Sequence, residues 1–202
     1  MRKIILASQS PRRRELLTQI GFEYEVCPST VEEVVNGTNP VEIVKSLSLQ
    51  KAMDVAEKKK MEYPEESLLV IGADTIVVYD NKILGKPKDE ADADAMLSML
   101  QGKTHSVYTG VALIFVENGT DEIKSFAEET QVTMCPMTQE EILWYVGTGE
   151  PKDKAGSYGI QGYCARFIEK IHGDYNNVVG LPVGRIYQEI KEKVDFVPNN
   201  GF

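Results

Sequence analysis

The chain has 202 residues, 42% of them apolar, and its 22 Lys and Arg against 31 Asp and Glu leave a formal charge of −9. This composition suits a globular protein with a sizeable core and excludes a disordered chain, and its negative field argues against a general binder of nucleic acid or membrane surfaces. One folding unit is expected over residues 1–195, with 196–202 as a frayed tail, because single cores stop growing only near about 250–300 residues.

Lys3 to Ala7 is a short apolar run that reads as a buried strand. Ser10 then offers an N-cap and Pro11 a first helical position for a helix that runs through Ile20 and stops at Gly21. A second strand near Tyr24 to Cys27 and a polar loop lead to Asn39 and Pro40. There a long helix starts, with Val41, Val44, Leu47, Ala52 and Val55 at helical spacing. Its Glu57 to Lys60 end reads as a solvated last turn. Leu68 to Tyr79 is rich in β-branched residues but interrupted by Gly72, Ala73 and Asp74. An acid inside a buried strand is the informative oddity, since carboxylates are rarely buried without a partner. Asp80 and Asn81 turn the chain back through Ile83 and Leu84. A helix is expected from Asp89 to Leu100, closed by Gly102, then two strands, His105 to Val116 and Glu122 to Met134, joined at Asn118, Gly119 and Thr120. Thr138 and Glu141 form a capping box for a helix through Trp144. A Gly- and Lys-bearing loop from Gly147 to Gly162, a strand near Arg166 to Ile171 and a helix from Pro182 to Val194 complete the chain. The interleaving with hairpins predicts an α/β fold on a mixed sheet.

The opening MRKIILASQSPRRR begins like a signal peptide, but its short apolar segment runs into three arginines, so a cytoplasmic protein is expected. No apolar run approaches the roughly 18 residues of a membrane span. Cys27, Cys135 and Cys164 are odd in number and lack a CxxC pair, which predicts buried small hydrophobes and neither a disulfide framework nor a zinc site. The two Asn-Gly-Thr triplets are read as turn chemistry. Gly102, Lys103 and Thr104 end like a phosphate-binding loop, but Leu97 stands where the first glycine is required. His105 and His172, the only histidines, are read as structural.

Two constellations carry chemistry. Ser8, Ser10, Arg12 and Arg13 lie where a strand passes into a helix, and free N–H groups, hydroxyls and guanidinium forks there favour an anion, above all phosphate. The bland alternative is a capped helix with a solvated cationic face, but cations at a helix N-terminus oppose its dipole. Lys51, Lys86 and Lys154 are further sources of positive charge. The second constellation is acidic: Glu32 and Glu33 in a loop, and Asp74 within a strand. Carboxylates with water suit Mg2+ or Mn2+ bound to phosphate oxygens, and Asp74 alternatively holds a water and accepts its proton. Such a protein reads as an enzyme for a metal-bound polyphosphate.

The segments ILASQSPRRRELL, IGADTIVV, LGKP, EPKDKAGSYGIQG and GDYNNVVGLPV together resemble the Maf proteins, nucleoside triphosphate pyrophosphatases first discussed as inhibitors of septum formation. The resemblance implies an α/β fold similar to the inosine triphosphatases, a central mixed sheet with two lobes around a cleft, and cleavage between the α- and β-phosphates with a divalent cation. It implies Asp74 as proton acceptor, Arg12 at the nucleotide, and Arg13, Glu33, Lys51 and Lys86 as phosphate or metal partners; with Ser8 and Ser10 of the first constellation, Arg13, Lys51 and Lys86 are assigned to phosphates and Glu33 and Asp74 to the metal. Arg12, Thr75 and Gln161 look like the branch that prefers dTTP and UTP. The branch acting on 7-methyl-GTP tends to carry Trp, Gln and Glu at those places. Besides the nucleotide, the one macromolecular partner that this reading admits is a second copy of the chain in a homodimer. A nucleotide-binding regulator of division without turnover is the reading from another class.

Overall fold

The computed structural model describes residues 2–117 and 120–194. The expected frayed tail, 196–202, and the turn residues Asn118 and Gly119 lie outside the described residues.

Strand β1 (Lys3–Leu6) pairs in parallel with β2 (Glu25–Val26) on one side and β3 (Leu68–Tyr79) on the other. Parallel neighbours need crossovers; α1 (Pro11–Gln19) and α2 (Pro40–Glu62) supply them. Strand β3 runs unbroken for 12 residues through Gly72, Ala73 and Asp74, with the acid inside it as expected. Asp80 and Asn81 both take positive φ, 49° and 59°, the pattern of a type I′ turn, which Asp and Asn tolerate. They send β4 (Lys82–Leu84) back antiparallel to β3. Helix α3 (Glu90–Leu100), the long strands β5 (Thr104–Glu117) and β6 (Thr120–Met134), and α4 (Gln139–Gly147) follow. After a series of 3-10 turns, β7 (Ile168–His172) runs antiparallel to β6, and α5 (Tyr175–Val179) and α6 (Val183–Ile190) close the described chain. Across the sheet the order is β2-β1-β3-β5-β6-β7, with β4 on β3. This is the mixed α/β sheet that the sequence predicts. Among the described residues no helix is long and apolar enough to cross a membrane.

The chain divides into two compact units. One comprises the residues up to Asp74, Thr109–Ala127 and those from Gly180 on; the other comprises Thr75–Tyr108 and Glu128–Val179.

In the first unit Ile5, Ala7, Ala52, Val55, Leu68, Val70, Ala112 and Ile114 form the core. Asn39 caps α2 by accepting from the N–H groups of Val41 and Glu42. Bare backbone meets α2 at two glycines: a Cβ on Gly72 would lie 2.3 Å from the Ser48 carbonyl oxygen, and one on Gly110 2.1 Å from that of Val44. Two expectations for α2 are corrected. Val41 is exposed rather than part of the core, because at the first helical turn it precedes the part of α2 seated on the sheet. Lys59 is buried rather than solvated. Its ammonium bridges Glu25 of β2 and Glu62, and lies 5.3 Å from the Tyr63 ring centroid. Burial acts to lower its pKa, but the two carboxylates outweigh it and the net shift is upward.

The second unit is built around Val77, Leu97, Leu100, Val107, Met134, Tyr145 and Phe167. Its α4 carries the predicted capping box, with Thr138 and Glu141 satisfying each other's backbone N–H, and Gly102 closes α3 at φ 63°. Of the cysteines only Cys164 is buried; Cys27 and Cys135 are half-buried, since both stand just beyond strand ends rather than within the core.

Candidate active site

In the first unit the site begins where β1 passes into α1. The N–H of Ala7 donates to the carbonyl of Ile71 at 2.8 Å, which carries the chain along β3 before it turns into the helix. Ser10 occupies the N-cap position, but its side chain makes no capping bond. Its own N–H instead donates to Ser8 Oγ at 3.2 Å, so the turn is closed by the buried Ser8. The same Oγ accepts from Arg13 Nη1 at 3.1 Å.

Arg13 organises this region. Nη1 also donates to the carbonyl of Ala73 at 2.9 Å, and Nε to that of Gly180 at 2.8 Å. One guanidinium therefore ties the β1–α1 turn, the residue before Asp74, and the turn before α6. Gly180 has φ 128°, a backbone state that favours glycine. Desolvation lowers the pKa of Arg13, the charge of Asp74 opposing it, and an arginine stays protonated throughout. Arg12, on the same first turn, is half-buried.

Asp74 follows Gly72 by two residues on β3, so their side-chain positions share one face of the sheet. Its side chain is 13% exposed and its Oδ1 accepts from Lys51 Nζ at 2.5 Å; Lys51, 16% exposed, comes from α2. The Lys51 ammonium also lies 3.1 Å from Glu33 Oε1. Glu32, exposed, makes no ion pair among the described residues, so of the two candidate glutamates it is Glu33 that joins the cluster. The result is two carboxylates converging on one cation beside a helix N-terminus.

The donor set fits a hard divalent cation. Two carboxylates aimed at one cationic point offer the oxygens that Mg2+ or Mn2+ prefers, and Mg2+ habitually keeps waters or substrate oxygens for its remaining positions. Among the described residues no three His, Cys, Asp or Glu side chains form a ready-made metal cage.

The second unit carries the other predicted residues. Thr75 is half-buried on β3, directly after Asp74, and Lys86 is exposed in the loop between β4 and α3. The carbonyl of Gly85, beside it, accepts from the N–H of Gly156 at 3.0 Å. The LGKP turn and the AGSYG turn are thereby stitched together. Ser157 is fully buried at φ 60° and donates to Met96 Sδ at 3.1 Å. A non-glycine residue held there is a strained one. The hydroxyl of buried Tyr158 lies 2.7 Å from His105 Nε2. Burial drives the His105 pKa down to about 4, and this neutral, enclosed imidazole is structural, as the sequence predicts. Gln161 is exposed, and its carboxamide makes no hydrogen bond among the described residues. Lys154 is not the available cation that its charge suggests, for its Nζ donates to the Glu150 carbonyl at 2.6 Å and to Asp153 Oδ1 at 2.7 Å.

The structure thus gathers Ser8, Arg13, Lys51, Asp74 and Glu33 in the first unit, and joins the segments of Lys86 and Gln161 in the second. Sequence reasoning passes over Gly180, whose carbonyl holds Arg13, and Glu150. Gly180 lies in the GDYNNVVGLPV segment, and a glycine just before Leu-Pro is the local signal that could have marked it.

Fold and site define an α/β protein that gathers hydroxyls, arginines and an ion-paired strand carboxylate where an anion can be held. The profile of the family described as "Maf-like protein" matches residues 3–193, and the chain belongs to that family. It is 55% identical over 200 residues to a protein of Agathobacter rectalis named dTTP/UTP pyrophosphatase, covering 95% of this chain and 98% of that one. Proteins of the same name from Bacillus thuringiensis subsp. konkukian and Bacillus anthracis are 52% and 51% identical over 193 residues, covering 95% of this chain and 96% of each relative.

Proposed function

We propose that this protein hydrolyses dTTP and UTP to the nucleoside monophosphate and pyrophosphate. The observation that carries the reading is the Lys51–Asp74–Glu33 cluster beside the β1–α1 turn, in a chain more than half identical to relatives named for that activity.

Lys51 holds Asp74 Oδ1, which leaves Oδ2 to take a proton from the attacking water. The water oxygen bonds to the α-phosphorus, the bond from that phosphorus to the bridging oxygen breaks, and the electron pair leaves with pyrophosphate. Little covalent chemistry falls to the protein in such a transfer; positioning and charge stabilisation dominate. Arg12, Ser8 and Ser10, at the start of α1, receive phosphate oxygens. Arg13 braces that turn and adds its charge beside Asp74, and Lys86 supplies a second cation for the polyphosphate. Asp74 and Glu33 would hold Mg2+ or Mn2+, which when bound neutralises charge on phosphate oxygens. At the base, the Gln161 carboxamide accepts from N3–H and donates to O4 of uracil or thymine, with Arg12 and Thr75 as the companion specificity positions. A cytoplasmic location agrees with such a substrate.

The test gives the purified protein dTTP, UTP, CTP, GTP and 7-methyl-GTP with Mg2+ or Mn2+, and follows pyrophosphate and monophosphate release beside an Asp74→Asn variant. Turnover of dTTP and UTP is expected, with kcat lower by roughly 10²- to 10⁴-fold in the variant. Preference for 7-methyl-GTP, or nucleotide binding without turnover, would each overturn the proposal. Equal activity in the variant would remove Asp74 from its role and leave the substrate reading intact.

A further inference from the structure

The segment that carries Gln161 leaves α4 at Gly147 and rejoins the sheet only at Ile168. On the way Gly149, Gly156, Ser157 and Gly162 take positive φ. Gln161 lies between 3-10 turns, outside any strand ladder or α-helix, so side chains must fix its position.

A single carboxylate reaches both flanks of it. Glu150 Oε2 accepts from the N–H of Tyr163 at 2.9 Å. Its Oε1 accepts from the Tyr145 hydroxyl at 2.8 Å, and that hydroxyl in turn accepts from the N–H of Gly159 at 3.3 Å. The two clamped amides stand two residues before and two residues after Gln161. The fit is close, because a Cβ on Gly162 would come within 2.6 Å of Glu150 Oε2. The clamp is itself anchored: Tyr145 is fully buried, and the carbonyl of Glu150 is held by Lys154 Nζ. Burial also pushes the Tyr145 phenol far up from its ordinary pKa, which keeps it a donor.

We infer that Glu150, acting directly and through Tyr145, is the positioning residue that sets Gln161 against the base and so establishes selectivity for uracil and thymine over cytosine. The inference rests on the function proposed above. Uracil presents a donor at N3 and an acceptor at O4. Cytosine presents the reverse pattern, so a Gln161 displaced from the base gives up the contact that favours uracil and thymine. Discrimination therefore depends on where the segment places that side chain.

The experiment compares Tyr145→Phe, Glu150→Gln and Glu150→Ala with the native chain, measuring kcat and KM for UTP and CTP together with amide exchange over residues 158–164. The ratio of kcat/KM for UTP over CTP is expected to fall by about tenfold in Tyr145→Phe and Glu150→Ala, through KM for UTP, while the amides of Gly159 and Tyr163 exchange faster. Glu150→Gln, whose amide oxygen still accepts from Tyr163, should lose less. Should Glu150→Ala fail to fold, Tyr145→Phe, which deletes one hydroxyl, carries the same comparison. A fall in both nucleotides together with the ratio unchanged would assign Glu150 a merely structural role and overturn the inference. Absence of UTP turnover by the native chain would instead overturn the functional reading and the selectivity role with it; unchanged amide exchange in the variants would refute the clamp in either case.

Discussion

His105 allows a quantitative prediction in acid. The residue is 3% exposed. Its Nε2 meets the Tyr158 hydroxyl, and its Nδ1 is buried with no hydrogen-bond partner among the described residues. Burial lowers its pKa to about 4, against an ordinary value of 6.5. As the pH falls below 6.5 the unfolded chain takes up the proton first, so stability is lost progressively down to about pH 4 and levels off below. The full gap corresponds to about 3 kcal/mol, of which about 2 kcal/mol falls between pH 7 and pH 5. A His105→Gln variant keeps a polar partner for Tyr158 but cannot titrate. In urea unfolding, the native chain should lose about 2 kcal/mol more than the variant on going from pH 7 to pH 5, a double difference in which the shared carboxylates cancel. Because the chain has two histidines, imidazole proton resonances give a direct check: one of the two should hold its shift until the pH is below about 5. An equal pH dependence in both proteins, or both imidazoles titrating near 6.5, would refute the reasoning.

Three further outcomes are expected. Lys59→Met strips Glu25 and Glu62 of a shared cation and should cost about 1–2 kcal/mol in urea unfolding. The Lys59 hydrogen bond foremost holds the Glu25 carboxyl below its ordinary 4.5, so that contribution is present above pH 4.5 and lost as the pH falls through the lowered value; a gap between native and variant that is the same at pH 3 and pH 7 would refute it. Gly72→Ala places a Cβ 2.3 Å from the Ser48 carbonyl oxygen and 2.8 Å from Ala52 Cβ, and should destabilise by about 2–4 kcal/mol; an unchanged melting temperature would mean that α2 yields freely. Gln161→Glu keeps an acceptor for N3–H but loses the donor to O4, so kcat/KM for UTP should drop about 10- to 100-fold; unchanged selectivity would dismiss Gln161 as the base reader.

What the sequence made legible is what short-range chemistry decides. The capping box of Thr138 and Glu141, the Asn39–Pro40 helix start and the Asp80–Asn81 turn each lie within a few residues of the groups they satisfy, and each is found where expected. Asp74 stood out because an acid in an apolar strand demands a partner, and Lys51, 23 residues away, is that partner. The misreadings involve partners that local pattern cannot see. Lys59 looks like any lysine in a helix's last turn until β2 brings Glu25 against it from 34 residues away. Ser10 has the residue type of a cap, but its N–H turns back to Ser8. Glu150 opens a recognised segment, yet its value lies in two backbone amides further along that same loop. Gly110 carries no local signal, since only the arrival of α2 makes a side chain there intolerable.

The seating of α2 on Gly72 and Gly110 also works as a ruler. Because the helix carbonyls of Ser48 and Val44 come so near the strand backbone, the span from α2 to Asp74 is one that a lysine side chain closes. A helix lifted by a methyl group at Gly72 would leave the ammonium short of its carboxylate. The reach of the cation at the cluster is thus set by two positions that contribute no side chain at all, so natural or laboratory changes there should alter activity without touching any residue of the site.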